Sequence, residues 1–270
     1  NSKEPSKMHI RSHLCAALAL MGLMISSTAA LAHEFILKPD TATPAAGQKT
    51  RMQAQAAHVF MVSEEAENPA NVRLYLLQGD KKTDIALAED KAVVALVGDF
   101  TLAQNGPAML VGHRLPQIWC ETTQGEMEGS RAALEAKGMK VKSSGKYEKF
   151  AKTLLNPASN DTLFGKALGQ DLELVLLTNP ADIKPGAPLN VQVLLRGKPV
   201  PNATVGLTHD AFSKEQDTYK SKAQTDAQGK ASFTVDKPAL WMLRTTVVEK
   251  TPGADADEHH LRATYVFPVK

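Results

Sequence analysis

Hydrophobic and polar positions alternate along most of the chain after residue 33. Alternation with a period of two is typical of half-buried β-strands. Turn-forming residues separate these segments about every 8–12 residues, which is the spacing of β-sandwich proteins. The pattern therefore predicts an all-β protein. The strands predicted in the first half are 33–39, 50–61, 72–78, 83–87, 92–102 and 108–111.

The middle of the chain departs from this alternation. Residues 126–165 are rich in Lys, Arg and Glu, and they include a predicted short helix at Ser130–Lys137. Tyr147–Leu155 has an amphipathic pattern and is also predicted to be helical, and Pro157–Asp161 forms a polar break. This stretch is interpreted as a charged connecting segment packed on the first domain.

Strand alternation resumes after Asp171 and continues to the end of the chain. Thr225–Lys230 contains a glycine where a tight turn favours a positive φ. We therefore predict two β-sandwich domains, 33–125 and 166–270, the second of them immunoglobulin-like. They would be joined by the connecting segment 126–165 and meet near residue 165.

Residues 1–32 are interpreted as an upstream extension followed by a secretory signal peptide. A basic stretch beginning at Met8 precedes the apolar run 14–25, and small residues up to Ala32 form an A-x-A-like cleavage site. The run is shorter than the roughly 20 residues that a bilayer requires. We therefore predict periplasmic export, cleavage after Ala32 that leaves His33 as the first residue, and no membrane insertion afterwards.

Composition excludes several classes of function. The formal net charge of +2 falls to zero for residues 33–270, whereas nucleic-acid binders usually carry a strong basic excess. Cys120 is the one cysteine in that range, so no internal disulfide or Cys₄ zinc site can form, and a buried thiol is expected. Serine-hydrolase, zincin, P-loop and dinucleotide-binding motifs are missing. We predict a non-enzymatic protein that does not bind nucleic acid.

Histidines are the candidate metal ligands, because imidazole suits nickel, cobalt, copper and zinc. His33 would offer both an imidazole and an α-amine after cleavage. We expect His33 to bind one divalent transition ion with His58 or His113, or both, and Glu65 to serve as an oxygen ligand or an outer partner. Each histidine could instead be a structural residue. Lesser candidates are His209, His259 and His260.

Two resemblances follow from longer motifs. GKPVPNATVGL, TDAQGKASFTV and ALWML resemble the transthyretin-like or carboxypeptidase-regulatory-like β-sandwich. HEFILKP, Trp119 with Thr122 and Gly125, KYEKFAKTLL and LELVLLTNP together resemble the periplasmic nickel/cobalt-uptake-associated family, a domain of unknown function. This second resemblance spans residues 33–270. It implies export, two β-rich parts, and membrane metal-transporter components as partners.

Three functions are compatible with these observations. The first is an exported, soluble metal-binding accessory of nickel- or cobalt-type uptake, with copper or zinc as other possible ions. The second is a structural or interaction module without a metal, for which the histidines would lie too far apart to share an ion. The third is an oxidative copper enzyme with an amino-terminal histidine brace. It requires a flat aromatic face, and two Trp and four Tyr argue against it.

Overall fold

A computed structural model describes residues 33–251 and 255–270. The predicted signal peptide and its cleavage site lie outside these residues. The strands are β1 (Glu34–Pro39), β2 (Lys49–Ala57), β3 (Val72–Gln78), β4 (Lys81–Asp84), β5 (Ala88–Asp90), β6 (Ala95–Thr101), β7 (Ala108–Thr122), β8 (Gly125–Glu128), β9 (Val141–Leu155), β10 (Leu172–Leu176), β11 (Pro188–Leu195), β12 (Lys198–Pro199), β13 (Thr204–His209), β14 (Ser221–Gln224), β15 (Lys230–Thr234), β16 (Ala239–Lys250) and β17 (Glu258–Val269). A short helix, α1 (Arg131–Glu135), follows β8, and 3₁₀ turns form at Pro69–Asn71, Leu163–Gly165 and Pro180–Asp182.

These strands form three sheets. The N-terminal sheet has the order β1-β2-β6-β5, and the C-terminal sheet has the order β10-β11-β12 with β15 also paired to β11. The central sheet has nine strands in the order β14-β13-β16-β17-β9-β7-β3-β4, with β8 paired to β7. Its β9 and β17 are parallel, whereas their other neighbours are antiparallel. The all-β prediction is confirmed.

The middle of the central sheet is buried on both faces, which gives this part of the chain three layers. On one face, Leu110 and Ala151 share a core with Phe35 of the N-terminal sheet. On the other face, Phe150 shares a core with Val191 of the C-terminal sheet. Both faces of β9 therefore contribute to a core, and residues 149–155 are all buried.

The segment Tyr147–Leu155, for which the sequence predicts a helix, is instead the second half of β9. Two lysines gave it an amphipathic appearance, yet both are buried in ion pairs. The Nζ of Lys149 lies 2.9 Å from an oxygen of Glu67, and the Nζ of Lys152 lies 2.9 Å from an oxygen of Glu173. Because both carboxylates are far away in sequence, the local pattern could not show that these lysines belong to a buried strand.

Strands from both sides of residue 165 belong to the central sheet. β3, β7 and β9 precede that residue, β13, β16 and β17 follow it, and the β9–β17 pair joins them. The two sandwiches expected to meet there therefore share a sheet. The predicted short helix forms as α1, with the side chain of Ser130 capping its first turn. No helix in the described ranges is long and apolar enough to cross a membrane.

Strand β1 is held against the central sheet by side chains as well as by its pairing with β2. The hydroxyls of Thr264 and Thr153 donate hydrogen bonds to the carbonyls of Phe35 (2.6 Å) and Leu37 (2.5 Å). Gly112 lies beneath them, where a Cβ would come within 3.0 Å of the Phe35 ring. A glycine at this position therefore permits the close approach of β1. The position of β1 in turn fixes the position of His33, the residue just before it.

Candidate metal centre

The pairing of β1 with β2 brings His33 and His58 together. Glu34 is opposite Ala57 in this antiparallel pair, so the two histidines occupy the next positions, where the strands end. Their ring centroids are 4.2 Å apart. The side chain of His58 is 9% exposed and that of His33 is 25% exposed. Two imidazoles that are distant in sequence are thus adjacent in a partly buried site.

The loop after β2 turns back and adds a carboxylate. Glu64 donates its backbone N–H to the carbonyl of Ala56 (2.9 Å). Its Oε1 accepts hydrogen bonds from the backbone N–H groups of His58 and Val59, each at 2.8 Å. Its Oε2 lies 3.1 Å from Nδ1 of His58 and 3.7 Å from Nε2 of His33. The loop therefore fixes this carboxylate beside both rings.

His33, His58 and Glu64, here called the His33 cluster, each offer one ligand atom, and these atoms all lie within 4.8 Å of one another. Zinc-type bonds of about 2.0–2.2 Å place two ligand atoms at most about 4.4 Å apart, and about 3.4 Å apart in a tetrahedral site. A pair at the 4.8 Å limit would therefore have to close by roughly an ångström to share one ion. Two imidazoles and a carboxylate are ligands that zinc, nickel, cobalt and copper accept. The donor set fits a divalent transition ion.

The protonation states of this cluster also suit a metal. Burial, with the nearby His58, lowers the pKa of His33, so its imidazole is neutral at pH 7. Burial alone would raise the pKa of Glu64, but hydrogen bonds from the backbone N–H groups of Val59 and His58 outweigh it, and the net shift is downward. Neutral imidazole and ionised carboxylate are the forms that bind metals.

Glu65, the carboxylate chosen from the sequence, lies at the rim of the cluster. Its Oε2 is 3.3 Å from Nδ1 of His33, and its side chain is 63% exposed. Sequence reasoning missed Glu64, although the run of Glu64, Glu65 and Glu67 after His58 is a visible signal. What the sequence could not show is which of these positions turns back toward β2.

His113 is not brought to His33 and His58. It lies on β7 beside Arg114, and adjacent residues of a strand point to opposite faces of the sheet. Arg114 shares its face with the N-terminal sheet, where its Nε lies 3.5 Å from an oxygen of Glu67. His113 points to the other face, where its Nε2 lies 2.7 Å from Oε1 of Glu148.

A second histidine contacts the same carboxylate. Nε2 of His259, on β17, lies 3.0 Å from Oε2 of Glu148. Burial tends to raise the pKa of Glu148, but the hydrogen bond and charge of His113, with those of His259, lower it overall. In this Glu148 cluster (His113, Glu148 and His259) the carboxylate therefore lies between the two imidazoles and uses one oxygen for each.

The other two histidines have local partners. His260 stacks on Tyr147 with centroids 4.7 Å apart, and its Nε2 lies 3.0 Å from an oxygen of Glu258. His209 is buried, with its ring 4.9 Å from that of Trp241. Neither residue lies in the His33 cluster.

Buried charges surround the His33 cluster. Glu34 is fully buried, and its Oε1 accepts hydrogen bonds from Arg244 and Arg262, each at 2.8 Å. Lys149, paired with Glu67, is close enough for its charge to help lower the pKa of His33. These ion pairs fix the end of β1 against β16 and β17 and so orient the residue that precedes it.

Cys120 is a buried thiol, as expected. Its Sγ lies 3.2 Å from the carbonyl oxygen of Gly129, and burial raises the pKa of the thiol. A thiol nucleophile needs the opposite shift.

The sequence matches a protein family over most of its length. Residues 30–249 match the model described as Domain of unknown function (DUF4198). This match spans well over half of the chain, so the chain belongs to that family. No curated protein matches the sequence.

Solved structures offer only distant similarity. The D0-D1 domain of intimin is 14% identical with a TM-score of 0.21, covering 86% of this chain and 96% of that chain. The mouse nectin-like molecule 4 ectodomain is 11% identical with a TM-score of 0.21, covering 88% and 65%. The group B streptococcus pilus 2b backbone protein is 11% identical with a TM-score of 0.16, covering 87% and 98%. Scores this low support no functional argument.

Proposed function

We propose that this chain is an exported metal-binding protein in which His33, His58 and Glu64 hold one divalent transition ion. The observation that carries the proposal is the approach of one ligand atom from each of these residues to within 4.8 Å of the others. The neutral imidazole of His33 and the lowered pKa of Glu64 support it, because no proton has to be removed from either group at pH 7.

The α-amine of His33 is a further ligand in this proposal. Cleavage after Ala32 would convert a peptide nitrogen into an amine with an ordinary pKa of about 7.7–8.0, which a metal can deprotonate readily. Amine and imidazole of one residue would then chelate the ion, and His58 would add a third nitrogen. Copper and nickel favour such nitrogen sites with tetragonal geometry.

The biological role we propose is that of an accessory to nickel- or cobalt-type uptake, with membrane transporter components as partners. It rests on the resemblance of the sequence motifs to the nickel/cobalt-uptake-associated family. The transthyretin-like character that we propose for residues 166–270 rests on the separate resemblance of GKPVPNATVGL, TDAQGKASFTV and ALWML. Copper should bind most tightly whatever the biological ion is, because affinities for divalent ions follow a fixed order. The relative affinities alone would therefore not identify the ion that the protein carries. The specificity of the transporter would identify it.

Calorimetry with nickel, cobalt, copper and zinc on the chain starting at His33 tests this function. We expect one ion per chain for the wild type and at least tenfold weaker binding for His58→Ala. His113→Ala is the matched control, because it removes a histidine from the opposite face, and its affinity should equal that of the wild type. Equal loss in both variants would contradict the proposed site.

The alternative is a structural module without a metal, and one observation favours it. Glu64 already accepts two backbone hydrogen bonds and contacts His58, which is also how a carboxylate would stabilise a loop. On this alternative, wild type and His58→Ala would bind the four ions equally weakly, and Glu64→Gln would lower the thermal stability instead.

A further inference from the structure

An open part of the central sheet carries aromatic side chains. Side chains paired across neighbouring strands, or two positions apart along a strand, lie on the same face. The register of β7, β9 and β17 therefore places three rows on the face that β1 covers in part. The rows are Arg114–Lys149–Arg262, Gln117–Tyr147–His260 and Trp119–Gly145–Glu258.

The second and third rows form a surface that we call the aromatic patch (Trp119, Tyr147, His260 and Val248). Val248 is paired with His260 on β16 and is 48% exposed, and Trp119 is 39% exposed. The rings of Tyr147 and His260 are stacked. Gly145 lies between Trp119 and Glu258, where a Cβ would come within 2.8 Å of the Tyr147 ring. The glycine thus leaves room for the Tyr147 ring.

Carboxylates border this patch. Glu128 is paired with Trp119 across β8, and Glu126 is two positions away on the same strand. Both are exposed. Burial, together with the charges of Glu126 and Glu258, raises the pKa of the Tyr147 hydroxyl, so these carboxylates lie close to the ring. Glu258 is paired with Lys250. The cations of the first row are largely buried and paired with Glu67 and Glu34, so Glu126 and Glu128 are the exposed, unneutralised carboxylates of the border.

Exposed aromatic rings bordered by carboxylates attract cations in two ways. The ring faces bind guanidinium and ammonium groups, and the carboxylates add charge and hydrogen bonds. Trp, Tyr and Arg are also the residues that dominate protein–protein interfaces. Charge complementarity therefore favours a partner with Arg or Lys side chains over an uncharged one.

The patch is also next to the His33 cluster. Tyr147 and Lys149 are two positions apart on β9, a distance of roughly 7 Å at about 3.3–3.4 Å per residue. The charge of Lys149 acts directly on His33. The patch and the His33 cluster therefore lie on the same side of the central sheet.

We infer that the aromatic patch is a docking surface for a protein segment bearing Arg or Lys side chains. Trp119 and Tyr147 stack on the cationic groups, and Glu126 and Glu128 pair with them. Binding at the patch does not depend on the proposed function.

The test uses a blocked tripeptide, acetyl-Arg-Gly-Arg-amide, and the metal-free chain in the presence of a chelator. We expect saturable binding by calorimetry that weakens as salt is added. Iodide quenching should decrease on binding, because Trp119 is exposed whereas the other tryptophan, Trp241, is fully buried. The double variant Glu126→Gln/Glu128→Gln should bind about tenfold more weakly, and so should Trp119→Ala.

The control is Asp84→Asn/Glu89→Gln, which removes the same charge from exposed positions on β4 and β5. It should bind as the wild type does. Equal loss in this control would reduce the effect to overall charge and overturn the inference. Unchanged binding in Trp119→Ala, with a normal thermal transition, would do the same. Binding of cellotetraose in place of the peptide would also overturn it and would favour the oxidative alternative. Because the assay contains no metal, the absence of peptide binding would not argue against the proposed metal site.

Discussion

Two clusters, one on each side of the central sheet, each contain two histidines and a glutamate, but they are built differently. In the His33 cluster the imidazoles are adjacent, with centroids 4.2 Å apart, and the carboxylate is held beside them by backbone N–H groups. In the Glu148 cluster the carboxylate lies between the imidazoles and contacts one with each oxygen. The same residue types therefore give a candidate ligand set on one face and an ion-pair bridge on the other.

The difference shows that proximity of histidine to glutamate does not define a metal site. A carboxylate that bridges two imidazoles ties three strands together, because His113, Glu148 and His259 lie on β7, β9 and β17. A carboxylate that is anchored by its own loop leaves both imidazoles beside each other. We therefore expect metal affinity to depend on the first arrangement and fold stability on the second.

Replacing the loop carboxylate should have the largest effect. We expect Glu64→Gln to weaken metal binding by at least about 100-fold, the upper end of what the loss of an outer partner of a metal ligand costs. The amide oxygen can still accept the backbone hydrogen bonds of His58 and Val59, so the thermal transition should hardly move. Calorimetry and a thermal scan on the same sample check both. A large loss of stability with unchanged affinity would reverse the assignment.

Replacing the bridging carboxylate should do the opposite. Glu148→Gln keeps one oxygen acceptor and leaves one of the two histidines without its carboxylate, so we expect a loss of about 1–3 kcal/mol in the free energy of unfolding. Metal affinity should equal that of the wild type. Denaturant unfolding of the metal-free chain gives the first quantity and calorimetry the second. A drop in affinity would indicate that the ion binds at the Glu148 cluster, which would contradict the proposed site.

Blocking the α-amine of His33 should affect metal binding at the His33 cluster alone, because the Glu148 cluster contains no α-amine. We expect one extra residue ahead of His33 to weaken copper and nickel binding by about tenfold, which corresponds to about 1.4 kcal/mol. The same addition should leave the stability of the metal-free chain unchanged. Equal affinity of the two forms, measured by competition with a chromogenic chelator, would remove the amine from the site.

The bridge should also have its own pH dependence. The pKa of Glu148 is lowered from its usual 4.5, so its contribution is complete above about pH 4.5 and is lost as the pH falls through the lowered value. The stability difference between wild type and Glu148→Gln should therefore shrink as the pH falls below about 4.5 and through the lowered value. Urea unfolding of both proteins across this range measures it. A difference that does not shrink at the acid end would mean that it does not come from the ionised carboxylate.

Much of the fold follows from the sequence, because alternation reports directly on half-buried strands. Val72–Gln78 is predicted with its observed bounds, and the first strand is predicted to within one residue. β9 is missed because it has no solvent-facing side over residues 149–155, so its two lysines suggest a surface where there is none. Buried ion pairs with distant partners are invisible to a local pattern.

The candidate site could be predicted only in part for a related reason. Both His33 and His58 flank predicted strands, and antiparallel pairing at that point brings them together. Strand parity separates His113 from Arg114, but the sequence does not say which of the two shares a face with β1. The choice between Glu64 and Glu65 depends on how one loop turns, which the sequence pattern does not determine.

Diffraction from crystals of the chain starting at His33, soaked in cobalt or nickel and measured at the absorption edge of the metal, would locate the bound ion. We expect one anomalous peak among His33, His58 and Glu64, with bonds of about 2.0–2.2 Å. A peak at the Glu148 cluster, or no peak within bonding distance of His33 and His58, would contradict the proposed site.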